Sequence, residues 1–308
     1  MQQGALPTTQ PRRVVAASRG RHRAVIGARL VPYLLVLPAV AIVFGMTLYP
    51  TIHVFRSSLT DWSLNRLGVE FIGLQNYRWL FTDPQFWLTL KNTAIFSVGV
   101  LLFVLTFGLL LALALNERLP LRTFFRSAVV MPWAITAVVT GLMWRWMMLP
   151  DIGILSYALE RIGLRVPFLL DSTIALGALI LIDAWRSTGY GMVLLLAGLQ
   201  GIDPTLQDAA KVDGASYAQY VRHIVIPLLI PTLIVVAILI SIHTVNLIDI
   251  VLVVTGGGPA RQTETLGLFM WKESFQLFSV GYGSAIAVIM FGINLVMTAL
   301  YIKVLVAK

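Results

Sequence analysis

The sequence predicts an all-α integral membrane protein with six transmembrane helices and a polar helical loop between the fourth and fifth. Three observations support this. Hydrophobic residues fill 58% of the 308 positions and charged residues only 12%, against about 25% in an ordinary soluble domain. Six apolar runs, near 31–50, 92–115, 124–148, 173–200, 225–248 and 284–304, approach or exceed the roughly 20 residues a helix needs to cross a ~30 Å hydrocarbon core. The formal charge of +9 is spread unevenly, and the unevenness follows the spans.

An even number of spans puts both termini on one side. Segments 1–30, 116–126, 201–224 and 303–308 hold 13 Lys/Arg and 4 Asp/Glu, whereas the opposite segments with their borders hold 9 of each. Basic loops remain on the cytoplasmic face, so both termini are expected there, in a bacterial cytoplasmic (inner) membrane. The excess positive charge is thus a topology signal and gives no reason to expect a nucleic-acid partner. The first apolar run is too long for a signal peptide and no small-residue cleavage site follows it. Residues 1–30 are therefore expected to form a flexible, uncleaved basic tail, and residues 31–308 a single membrane domain.

Catalytic and metal chemistry find little footing. The chain has no cysteine, and His22, His53, His223 and His243 show no ligand spacing, so no metal site is expected. No nucleotide-binding glycine loop is present: "TGGGP" at Thr255–Pro259 lacks the following Lys-Ser/Thr and reads as a turn. No cofactor is expected on this chain.

Along the chain, segment 51–91 is rich in aromatics of the kind that anchor at the headgroup boundary, and "FIGLQNYRWLF" turns helical after Gly73. "NERLPLR" forms a short hairpin between the second and third spans. Pro132 implies a local break in the third span, whose end carries Trp144 and Trp146. The fourth span reads "LIDAWRSTGYGMVLLLAGLQ". Asp183 and Arg186, three apart, share a helix face and are expected to pair, with Tyr190 continuing that face. In the fifth span His243, Asn246 and Asp249 recur every three residues with Thr244 beside them, a polar stripe on an apolar helix. Two readings stay open: an inter-helix tether, or the wall of a wet passage for a polyhydroxylated solute. Ionisable groups inside a membrane favour the second.

The loop "PTLQDAAKVDGASYAQYVRHIVIP" has strong local grammar. Asp203 is placed to cap a helix opening at Pro204, Gly214 permits a sharp turn, and Ser216 with Gln219 forms a capping box for a second short helix. Leu206, Ala209, Ala210 and Ala215 give the hairpin a small, smooth face suited to docking.

This loop resembles the EAA loop of ATP-binding-cassette importer permeases: acid-Ala-Ala, Asp-Gly-Ala, then Ile and two prolines. The resemblance spans about residues 30–305 and includes "MPW", "AWRSTGY", "AGLQGIDP", "VLVVTGGGP" and "GYGSAIAVI". It points to the carbohydrate-uptake subfamily, to the first-type permease that pairs with a second, homologous permease. The resemblance implies two ATPase subunits below, which bind ATP and Mg, and an external solute-binding protein that delivers a di- or oligosaccharide or related polyol. It assigns the coupling helix to Asp208, Ala209, Ala210, Asp213 and Gly214. The sugar cavity would fall on Arg186, Tyr190, His243, Thr244 and Asn246, and the reading of the spans adds Asp183 and Asp249. One departure is that the family's glutamate is Asp208 here, one methylene shorter. The competing reading is an ion-coupled secondary carrier with Asp183, His243 and Asp249 as a proton relay. An intramembrane enzyme lacks a catalytic set.

Overall fold

A computed structural model describes residues 19–117 and 120–306. Among the described residues thirteen α-helices and two short π-helical segments make up the regular structure, with no strand beyond a single antiparallel bridge between Thr60 and Phe71. The chain divides into two units, residues 1–53 and 54–308. Helix α1 (Arg19–Ser57) carries Pro32, Pro38 and Pro50. Of the tail expected over 1–30, residues 1–18 lie outside the described residues, and α1 already begins at Arg19.

The second unit is built on α3 (Pro84–Asn116) and α7 (Ser172–Gln200). Both begin with local chemistry. Asp83 Oδ1 accepts from the Gln85 N–H at 2.8 Å ahead of Pro84, and Asp171 Oδ1 accepts from the Thr173 and Ile174 N–H groups at 2.9 Å. Their shared seam buries Phe96, Val100 and Val104 from α3 against Leu179, Ile182, Met192 and Leu195 from α7. Small residues set its spacing: a Cβ on Gly191 would stand 2.5 Å from Val104 Cγ1. Helix α10 (Ile226–Val245) closes on the same core through Leu229, Val236 and Ile240.

Five helical stretches are long and apolar enough to cross a membrane: Pro32–Ser57, Pro84–Asn116, Ser172–Gln200, Tyr217–Val245 and Val280–Leu305. The expected third span differs. Helices α4 (Arg122–Ala134) and α5 (Ala137–Met148) meet at 92°, a bend far sharper than a local break in one helix. Pro132 has no N–H to give. Ile135, extended at φ −75° and ψ 137°, then ends the helix, and Thr136 opens the next by accepting from the Val139 N–H. Among the described residues, this bent pair alone can supply a sixth span.

Gly189 holds α4 to α7. A Cβ there would collide with the Val129 carbonyl oxygen and lie 2.9 Å from Val130 Cα, backbone atoms that no rotamer change can move aside. Gly189→Ala is expected to cost about 1–3 kcal/mol by overpacking. The check is a lower thermal midpoint of the purified protein in detergent.

The link after α10 holds α11 (Asp249–Val254) and α12 (Leu266–Trp271) and is tied down by a buried carboxylate. Glu264 has no exposed surface, yet Arg261 Nε lies 2.7 Å from Oε2 and Lys272 Nζ lies 3.0 Å from Oε1. Lys272 also donates to the Gly256 carbonyl at 2.7 Å. From α3, Gln85 Nε2 donates to Glu264 Oε2 at 2.8 Å, and Asn92 Nδ2 reaches the Gln262 and Glu264 carbonyls at 2.8 and 3.0 Å. The segment just after the "TGGGP" turn is therefore pinned to α3, and Lys272 ties the turn itself to Glu264. Farther along, burial pushes the Glu273 carboxyl above its ordinary value, and the Arg261 charge opposes that shift.

Candidate functional site

A cavity of about 230 Å³ lies among α4, α7 and α10, lined by Trp133, Arg186, Ser187, Tyr190, Leu239, Ile240 and His243. The end of α4 shapes it, because it carries Trp133 and, past Pro132, a free carbonyl at Ile135. Trp133 stacks on Tyr190 with ring centroids 5.2 Å apart and planes at 19°. The Ile135 carbonyl, left at the end of α4, accepts from Arg186 Nε at 3.3 Å.

Asp183 does not pair with Arg186. It is fully buried behind the cavity, and its Oδ1 lies 3.2 Å from His243 Nε2 on α10, whose side chain is 35% exposed. The expected intrahelical pair is replaced by a link from α7 to α10 and a separate link from α7 to the bend. The bent carbonyl gives Arg186 an alternative acceptor, and the crossing of α10 brings the imidazole to the carboxylate.

The polar stripe of the fifth span is likewise broken. Helix α10 ends at Val245 because Asn246 Nδ2 donates to the Ile242 carbonyl at 2.7 Å, turning a local side chain against helix propagation. Asp249 is exposed at the start of α11, and Asn246 is exposed in the break. Thr244 is fully buried and donates to the Ser241 carbonyl at 3.0 Å. Arg186, Tyr190 and His243 thus converge on one cavity with Asp183 behind them, while Thr244, Asn246 and Asp249 lie apart from its lining. Trp133, Leu239 and Ile240 are lining residues that the sequence reading did not single out.

The residues expected to form the polar loop between the fourth and fifth spans form a helix–turn–helix. Helix α8 (Thr205–Val212) opens where Asp203 Oδ1 accepts from the Thr205 N–H at 2.9 Å, a bond that holds the Asp203 carboxyl below its ordinary value. Gly214 turns the chain at φ +75°, with the Gly214 N–H donating to the Lys211 carbonyl at 3.1 Å and the Ala215 N–H to the Ala210 carbonyl at 2.9 Å. Helix α9 (Tyr217–Tyr220) carries the capping box, in which the Ser216 N–H donates to Gln219 Oε1 at 2.8 Å. A π turn over Val221–Val225 leads into α10. It precedes Pro227, which offers no N–H to the carbonyl four residues back.

On α8 the side chains divide by face. Ala210 is buried at 5% exposure and turns into the protein, whereas Asp208, Ala209 and Asp213 are exposed. Val212 stands out at 88% exposure, an apolar side chain on the open face, whereas Leu206, one turn before the buried Ala210, is 37% exposed. Asp208 meets Lys211 at 3.4 Å, an exposed pair worth little to the fold.

Residues 104–304 match the family described as "Binding-protein-dependent transport system inner membrane component". A sulfoquinovosyl glycerol transport system permease protein from Agrobacterium fabrum is 33% identical, with 92% of each chain covered. A trehalose/maltose transport system permease protein from Thermococcus litoralis is 34% identical over 88% of this chain and 92% of its own. An sn-glycerol-3-phosphate transport system permease protein from Agrobacterium fabrum is 33% identical over 88% and 93%. Among solved structures, a bacterial ABC transporter for import of the acidic polysaccharide alginate matches with TM-score 0.80 and 24% identity, over 92% of this chain and 98% of that one. The likeness to it is one of fold.

Proposed function

The chain belongs to the family of binding-protein-dependent transport system inner membrane components, and from that membership we propose that it is the channel-forming permease subunit of an ATP-driven importer of a sugar or related polyol. The three named relatives are transport permeases for sulfoquinovosyl glycerol, trehalose/maltose and sn-glycerol-3-phosphate, solutes that share a polyhydroxylated character. The bent α4–α5 pair then counts as the third of six spans, both termini are cytoplasmic, and α8 faces the cytoplasm. Its partners are a second, homologous permease, two ATPase subunits that carry ATP and Mg, and an external solute-binding protein.

The observation that carries this reading is that α7 and α10 hold both the cavity and the α8 hairpin, which joins them at one end. Fourteen residues of α7 separate Arg186 from Gln200, about 21 Å at 1.5 Å per residue. In our account the open face of α8, with Asp208, Ala209 and Val212, sits on the ATPase. Asp213 and Gly214 hold the turn, and Ala210 ties the helix to the spans. ATPase closure displaces α8, and the stiff α7 and α10 carry the displacement to the cavity. Stacking by Trp133 and Tyr190 with donors from Arg186 and His243 suits a hydroxylated ring. The ion-coupled alternative gains no support, since Asp183 is sealed behind His243.

Uptake into inside-loaded vesicles tests the reading: sugar accumulates when internal ATP is supplied and not when a proton gradient alone is imposed. The absence of cysteine permits a second check. Val212→Cys is expected to react with a membrane-impermeant maleimide only from the cytoplasmic face, and Leu67→Cys, on a residue 104% exposed, only from the outer face. The reverse pattern would invert the topology.

A further inference from the structure

We infer that the transported solute carries an oxyanion, a carboxylate, sulfonate or phosphate group, which Arg186 receives in the cavity. This deepens the importer reading and rests on it. Arg186 is the only residue with a permanent charge lining the cavity, and the carboxylate expected to neutralise it is turned away. Asp183 is fully buried and its Oδ1 faces His243 Nε2. Arg186 spends Nε on the Ile135 carbonyl, and its two Nη groups meet no acceptor among the described residues.

A guanidinium has five N–H donors and no acceptor, and its planar fork matches an oxyanion in a bidentate pair. The Ile135 bond fixes one edge of that fork and leaves the other for a ligand. Leu239 and Ile240 form the apolar side of the cavity, which strengthens an electrostatic contact there. A neutral sugar would accept from Arg186 through hydroxyls but bring its Nη groups no counter-charge of their own, and charges inside a membrane are costly without close partners. An oxyanion offsets that charge, while Trp133 and Tyr190 contact the remainder of the ring system. A purely structural arginine, tying the bend to α7, accounts for Nε and not for the unpartnered Nη groups in a cavity wall.

The test uses the complete transporter, with its partner permease, ATPase and binding protein, in liposomes with internal ATP. Labelled probes are trehalose, a uronate disaccharide, its methyl ester, a sulfonated glycoside and glycerol phosphate. The expected result is uptake of at least one oxyanion probe; where that probe is the uronate, its uncharged ester enters at least about tenfold more slowly. Arg186→Gln should lower uptake of the oxyanion probe about tenfold or more with the same binding protein, and Arg186→Lys should restore part of it. Comparison of the carboxylate, sulfonate and phosphate probes identifies which group is used. Preferred uptake of trehalose, equal uptake of acid and ester, or oxyanion uptake indifferent to Arg186→Gln in a complex that still co-purifies would overturn the inference and leave the importer reading standing. ATP turnover with no uptake of any probe would instead overturn the carbohydrate reading on which it rests. The comparison of the oxyanion probes with neutral trehalose uses the unaltered protein, so it decides even if Arg186→Gln fails to assemble.

Discussion

Gly214→Pro is expected to leave the spans in the membrane while substrate-stimulated ATP turnover of the assembled transporter falls to its unstimulated level. Gly214 sits at φ +75°, and proline is held near −65°. Proline also removes the N–H that reaches the Lys211 carbonyl at 3.1 Å. The turn cannot form, so α8 no longer returns to α9 and α10 in the orientation its docking requires. Gly214 lies in an exposed hairpin where an added Cβ would meet open space, so membrane insertion and the packed core should be untouched. Asp208→Ala separates the contribution of the docking face from that of the turn. Its side chain is 77% exposed and its Lys211 pair contributes at most about 0.5 kcal/mol, so stability should hold. Stimulated turnover should nevertheless drop at least about tenfold if Asp208 meets a cation on the ATPase. Stimulation retained in both variants would remove α8 from the coupling path.

The second large effect concerns Glu264. Glu264→Ala removes the carboxylate that faces Arg261 and Lys272, leaving Lys272 only 18% exposed beside an emptied site. Breaking one partner of a buried ion pair costs about 3–5 kcal/mol, because the remaining charge stays buried without compensation. The half-exposed Arg261 can turn to water, which places the estimate at the lower end. Because Gln85 and Asn92 tie this link to α3, its loss should loosen α12 and lower the amount of folded protein in the membrane. The measurements are thermal unfolding in detergent and membrane abundance. Adding Lys272→Met to Glu264→Ala should recover part of the loss, since the stranded cation is then gone. A second substitution that only deepens the loss would show that Glu264 acts through something other than these cations.

What was legible in the sequence was what local chemistry decides. The hairpin could be read from Asp203, Gly214, Ser216 and Gln219, because capping and left-handed turns depend on neighbours within four residues. The long apolar helices could be read from composition. What depends on partners distant in sequence could not. Asp183 and Arg186 look like a pair at a spacing of three, yet each finds a better-placed partner, His243 on another span and the carbonyl freed at Ile135. The stripe His243, Asn246, Asp249 assumed an unbroken helix, and Asn246 itself interrupts it. Pro132 announced a break without its size, because the 92° turn is set by how α4 and α5 pack on their neighbours. Trp133 follows that proline within α4 and reaches the cavity by packing on Tyr190 of α7, a contact distant in sequence. Glu264 was not singled out, since only Arg261 lies near it in sequence and its burial depends on Gln85 and Lys272, which come from other elements.

The central claim is that α8 connects this chain to a separate ATPase. It is tested most directly by purifying the tagged chain from native membranes with Val212→Cys as a cross-linking site. The account predicts that a second permease and an ATPase subunit co-elute and that residue 212 cross-links to the ATPase. It also predicts that ATP turnover rises when the loaded binding protein is added. A chain that elutes alone, makes no cross-link from residue 212 and moves solute without ATP would contradict it.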